Sequence, residues 1–184
     1  MARTHDALDD TLRSFIADQP LFFVASAPNG PGGHVNLSPK GLDSFRVIDD
    51  HTVAYLDLTG SGVETIAHLR QNGRLTIMFC AFAGAPRILR LYGRGRFHLR
   101  GSERFDALAP SFPALEGARS IITCDLERIQ SSCGYAVPIM ELTEQRSTLL
   151  DWAERRGPDG LADYWVEKNE ASIDGLAGHP GAAR

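Results

Sequence analysis

Cysteine is scarce in this chain and too thinly spread to cross-link it. Cys80, Cys124 and Cys133 are the only three among 184 residues. They form no CxxC pair and have no histidine at ligand spacing, which excludes a disulfide framework and argues against a zinc or other metal site. Reduced thiols in a cytoplasmic protein are the expectation. A basic excess is missing too. Lys and Arg number 19 against 23 Asp and Glu, a formal net charge of -4, so the chain lacks the footprint of a nucleic-acid binder. No apolar run approaches the length of a membrane span, and the opening Met1–Asp6 leads into a charged segment without the apolar core of a signal peptide. There is no internal repeat.

What is present is an ordinary globular composition, 43% hydrophobic and 23% charged, able to bury a real core. Leu8, Leu12, Phe15 and Ile16 recur at helical spacing within Asp6–Gln19, before Pro20. Strands are expected over Leu21–Ala27 and His34–Ser38, joined by the turn-rich PNGPGG, then over Ser44–Ile48 and Thr52–Leu58. A short helix over Val63–Gln71 closes on Asn72-Gly73, a left-handed C-cap. Strands follow over Arg74–Phe82 and Arg87–Leu99, the latter carrying Gly93 and Gly95 on one face. That arrangement suits a strand that bends or lets something approach closely. Ser102–Pro113 reads as a helical turn and loop, and Ser120–Glu127 with Ile129–Ile139 as the last strand or strands. Two helices, Thr143–Arg156 and Gly160–Ile173, are split by Gly157-Pro158 and lead to a loose Asp174–Arg184 tail. Strands cluster centrally with helices at both ends, the pattern of a small antiparallel barrel. The expected organisation is a barrel domain over 1–140 and a helical extension over 141–184.

Four features could carry chemistry. Thr59-Gly60-Ser61-Gly62 precedes the short helix, and Ser61-Gly62-Val63-Glu64 reads as a capping box. A helix N-terminus after a Gly-rich turn suits a phosphate, although a capped helix without a ligand is the commoner outcome. Asn36, Ser38 and Lys40 alternate onto one strand face, either a solvated edge or a cationic ledge. Arg90 and Arg94 share a face of the long strand, where surface charge is the plainer reading. Ser131-Ser132-Cys133-Gly134-Tyr135 is a small-polar run with nothing nearby to activate Cys133 as a nucleophile. Close approach to a planar ligand, or a simple bulge, accounts for it better. No residue is an obvious catalytic acid or base.

Taken in order, HVNLSPKG (His34–Gly41), VAYLDLTGSGVETIAHLRQNGRLTIMF (Val53–Phe79) and PRILRLYGRGRFH (Pro86–His98) resemble the pyridoxamine 5'-phosphate oxidase-like flavin-binding split barrels, over roughly residues 10–140. The resemblance implies a mostly β fold with flanking helices, a six-stranded antiparallel split barrel. It also implies flavin mononucleotide (FMN) as cofactor and a homodimer with cofactor at the interface. By that resemblance the cofactor-binding residues are Asn36, Ser38, Lys40, Thr59, Ser61, Gly62, Val63, Thr65 and Arg90, with Ser132 and Cys133 near the flavin ring. The basic pair that the oxidase carries at the start of its phosphate helix is replaced here by Val63-Glu64-Thr65, and the oxidase's Arg- and Pro-containing C-terminal signature is absent. Oxidation of pyridoxamine phosphate is therefore not expected. An FMN-dependent oxidoreductase of a small molecule, with NAD(P)H as one candidate partner, leads the readings. A non-catalytic flavin carrier, or the same fold with deazaflavin or haem, is the alternative. The segment YWVEKN…SIDGL (Tyr164–Leu176) resembles a tail of one uncharacterised branch of the superfamily and is left without a role.

Overall fold

The computed structural model describes residues 2–182. The chain starts with a short strand β1 (Arg3–His5) and helix α1 (Asp10–Ala17). Strands β2 (Phe22–Ser26), β3 (Asn36–Lys40), β4 (Phe45–Val47) and β5 (Thr52–Leu58) follow. Helix α2 (Glu64–Gln71) then leads into β6 (Arg74–Cys80) and β7 (Ile88–Leu99). Helix α3 (Glu103–Leu108), strand β8 (Ala118–Ser132) and the helical stretch α4 (Thr148–Lys168) come next, with short 3-10 turns at Ala109–Ser111 and Pro180–Ala182.

All strand pairings are antiparallel, and they form one eight-stranded sheet in the order β3-β2-β6-β7-β8-β5-β4, with β1 added on β8. Phe22 on β2 and Phe79 on β6 lie far from Phe45 on β4 in that order. Yet the Phe45 ring sits 5.0 Å from both. Only a sheet curled back on itself allows this, and the curl is the barrel. Its interior holds Val24, Val53, Tyr55, Ile77, Leu89, Leu91 and Ile122, all fully buried, with Leu12 and Ile16 of α1 closing one side. Asp9 caps α1 by accepting from the Leu12 amide at 2.8 Å. On the opposite face of β5 and β8, Ala54, Leu56 and Ile121 pack beneath Phe105 and Leu108 of α3.

The barrel has eight strands where six were expected. β1 escaped the sequence reading because three residues carry no alternation; pairing with the end of β8 makes them a strand. The last strand also differs, being one continuous 15-residue element that ends at Ser132, so 133–139 is not strand. Gly93 and Gly95 have a close-approach explanation. A methyl on Gly93 would strike the Asp125 carbonyl beside the register shift at Tyr92/Gly93, and one on Gly95 would meet Leu69 of α2 at 2.7 Å. The Gly73 C-cap is present, with φ 68°. The expected split of the C-terminal helices is present too, at Gly157 (φ 66°, ψ 175°) just before Pro158, although helix begins at Thr148 and not at Thr143. The 174–182 segment is not loose. Asp174 accepts from the His34 amide at 2.7 Å, His179 is buried, and an isolated bridge joins Ala171 to Ala177. The expectation for Ala183 and Arg184 lies outside the described residues. No helix among the described residues is long and apolar enough to cross a membrane.

Candidate cofactor site

A concavity of about 960 Å³ opens where the end of β3, the turn after β5 and the start of α2 converge. A site for a nucleotide-sized ligand falls in this range. On β3 the outward side chains are apolar, with Leu37 62% exposed, while Asn36, Ser38 and Lys40 are half-buried against the cleft. This inverts the usual strand pattern, in which polar residues face water, and it disposes of the solvated-edge reading for that face. Asn36 donates to Thr65 Oγ1 at 3.1 Å and accepts from Ser38 Oγ at 3.2 Å, so three polar side chains form one row.

The capping box does not form. Helix α2 begins at Glu64 with Val63 in the N-cap position and no side-chain cap. The Glu64 carboxylate accepts from the Ile173 amide at 3.2 Å instead. The first-turn amides of α2 therefore keep their hydrogen-bonding capacity at the positive end of the helix dipole.

A buried charge cluster underlies the cleft. Asp57 stands on an otherwise apolar strand and is 1% exposed. Between Asp57 and Leu58 the β5–β8 register shifts, leaving Arg119 as the extra residue. A bulge of this kind re-aims side chains. Here Arg119 Nε donates to Asp57 Oδ2 at 2.7 Å and Ser120 Oγ donates to the same atom at 3.1 Å. Lys40 Nζ lies 3.6 Å from the other carboxylate oxygen. Burial alone would push the Asp57 carboxyl up. The charges of Arg119 and Lys40 and the hydrogen bonds it accepts outweigh that and hold it below the ordinary range. Two cations against one carboxylate leave a net positive charge at the cleft floor. Beside the cluster, Tyr55 is fully buried and its hydroxyl meets no hydrogen-bond partner, although Thr65 and the Asp57–Arg119 pair are its polar neighbours. Burial raises its pKa well above the ordinary value.

Seven of the sequence-derived residues, Asn36, Ser38, Lys40, Thr59, Ser61, Gly62 and Thr65, border this one cleft. Thr59 does so with its hydroxyl already committed, donating to the Gly117 carbonyl at 2.7 Å and accepting from Trp165 Nε1 at 2.9 Å. Val63 lies just behind the cleft with its side chain buried. Arg90, Ser132 and Cys133 are not brought to it within the chain. They sit at the opposite end of β8 from Arg119, where Arg90 donates to Ser132 Oγ at 3.1 Å and Cys133 is exposed. Asp57, Arg119 and Tyr55 were not foreseen. An Asp amid the apolar VAYLDL run was the available signal, because a buried carboxylate requires a partner.

The pyridoxamine 5'-phosphate oxidase family model matches residues 8–133. The chain belongs to this family. The pyridoxamine 5'-phosphate oxidase family protein ustO of Aspergillus flavus is 40% identical over 199 residues, covering 98% of this chain and 79% of that protein. Among solved structures, HupZ of Group A Streptococcus has a TM-score of 0.52 at 24% identity, covering 66% of this chain and 90% of its own. A candidate pyridoxamine 5'-phosphate oxidase of Lactobacillus delbrueckii has a TM-score of 0.51 at 14% identity, covering 69% and 98%. At these identities the structural likeness is one of fold. The family match ends at Cys133, so α4 and the 169–182 segment lie beyond it.

Proposed function

We propose that this member of the oxidase family binds FMN with its phosphate in the cleft between β3 and α2, and uses it as an oxidoreductase of a small molecule. One observation carries the reading. The uncapped start of α2, the Asn36–Ser38–Thr65 row and a net-positive Lys40–Asp57–Arg119 cluster face a single cleft of nucleotide size. A phosphate dianion favours amide and hydroxyl donors with a cation in reach. Glu64, the one carboxylate at the helix start, is turned to Ile173 and does not oppose the anion.

In this reading Lys40 and the α2 amides hold the phosphate, and Ser38 and Thr65 add hydroxyls. The Asp57–Arg119 pair fixes the Lys40 ammonium beneath it. Bound FMN supplies hydride or electron transfer at its ring, while the chain supplies orientation and exclusion of water. We assign residues 1–140 to the flavin-binding barrel and 141–184 to an extension that completes the site. Arg90, Ser132 and Cys133, remote within one chain, join the site through a second copy. The exposed apolar residues Val35, Leu37, Tyr135 and Ile139 favour such a homodimer. A flavin carrier is the second reading, favoured because the carboxylates at the cleft floor and the helix start, Asp57 and Glu64, are both engaged. The haem alternative gains nothing from the cleft, which no His or Cys among the described residues lines.

The visible spectrum of the purified protein tests the proposal. Oxidised-flavin bands released as FMN on denaturation are the expected result, and a Soret band would contradict it. Bleaching of those bands by NADH or NADPH separates oxidoreductase from carrier.

A further inference from the structure

The tail segment Tyr164–Leu176 and the residues just after it close over the back of the Gly60–Gly62 turn. Asn169 is fully buried, and its Nδ2 donates to the Gly60 carbonyl at 3.1 Å and the Ser61 carbonyl at 3.5 Å. Arg119 Nη1 donates to the Gly62 carbonyl at 3.0 Å and to Asn169 Oδ1 at 2.8 Å. Three successive carbonyls are thus drawn to one side. In a planar trans peptide the N–H points opposite its carbonyl, so the amides of Ser61, Gly62 and Val63 face away from Asn169. The turn borders the cleft, and Asn169 does not.

We infer that Asn169, with Arg119 and Trp165, is a positioning set that aims the amides of this turn at the ligand phosphate, an inference that rests on the FMN reading above. Asn169 is itself held from both sides. Its amide donates to the Trp165 carbonyl at 2.9 Å, and its carbonyl accepts from the His179 amide at 2.7 Å. The His179 ring stacks on Trp165 with centroids 4.9 Å apart. Trp165 Nε1 in turn occupies the Thr59 hydroxyl, which fixes the first residue of the turn. The same segment holds the Glu64 carboxylate on the Ile173 amide. The tail therefore does two things for an anion: it turns donors toward it and a carboxylate away from it. This gives the C-terminal segment a role in binding that lies outside the family-matched residues 8–133.

Titration of the cofactor-free full chain with FMN and with riboflavin, which lacks the phosphate, tests this. Asn169→Ala is expected to weaken FMN binding about tenfold, or about 1.4 kcal/mol, while changing riboflavin affinity less than about twofold. Trp165→Phe keeps a ring to stack on His179 but loses the bond to Thr59. It is expected to weaken FMN about two- to fivefold with riboflavin again unchanged, and it decides the matter if Asn169→Ala does not fold. Equal weakening of both ligands would show a merely structural role and overturn the inference. So would variants that keep the wild-type ratio of FMN to riboflavin affinity. A wild type with no preference for FMN would overturn the FMN reading and this inference together.

Discussion

Arginine has opposite fates in the two long strands. On β7, Arg94 and Arg96 lie on the outer face and pair with Glu127 at 2.9 Å and Asp125 at 2.5 Å, with every partner about half-exposed or more. On β8, Arg119 is 5% exposed and its side chain makes three hydrogen bonds, to Asp57, Asn169 and the Gly62 carbonyl. The Arg-rich stretch draws the eye in the sequence, yet it is the isolated arginine that organises the cleft. Charge density along a chain marks a solvated face. A single charge that the fold buries must be matched by geometry, and that geometry becomes the site.

The sharpest way to break this contrast is to truncate both kinds of arginine. Arg119→Ala leaves Asp57 buried with a lost partner and is expected to cost about 3–5 kcal/mol in denaturant unfolding. Lysine at this position would not restore it, because one ammonium cannot replace a planar fork that serves Asp57, Asn169 and Gly62 together. Next in size, Lys40→Ala removes the ammonium that lines the cleft beside the Asp57–Arg119 pair and is expected to weaken FMN binding about tenfold or more in a fluorescence titration. Unchanged affinity would take the phosphate out of this cleft.

A smaller effect comes from pH. Burial lowers the pKa of His68 and of His179, with the Arg119 charge adding to the latter. Both are neutral in the fold, so below the unfolded value of about 6.5 the unfolded chain takes up protons first and stability falls as pH drops toward the depressed folded values. Asp57, also depressed, contributes stability above its unfolded value near 4 and loses it only at lower pH. Unfolding midpoints are expected to drop between pH 7.5 and 5.5, and to drop less in His179→Phe, which keeps a ring on Trp165. Smallest of all, Arg96→Ala should cost less than about 1 kcal/mol, as exposed pairs do. A loss comparable to that of Arg119→Ala would erase the distinction between the two strands.

Much of the cleft was legible in the sequence because it is built from local patterns. Alternation placed Asn36, Ser38 and Lys40 on one face, and the glycine-rich turn marked the start of α2. What stayed hidden depends on long-range register. Arg119 reaches Asp57 only because a bulge shifts the β5–β8 pairing by one residue, and no spacing in the sequence announces that. The capping box Ser61–Glu64 was a sound local expectation, defeated when Ile173, more than a hundred residues on, took the Glu64 carboxylate. The 174–182 tail misled for the opposite reason. Its Gly- and Ala-rich composition offers little core, but the bonds of Asp174 to His34 and the stack of His179 on Trp165 pin it.

A phosphate site at the start of α2 sets the ratio of FMN to riboflavin affinity in the wild-type chain, and a titration with both flavins measures it. FMN is expected to bind at least about tenfold more tightly. Equal affinity for the two flavins would contradict it.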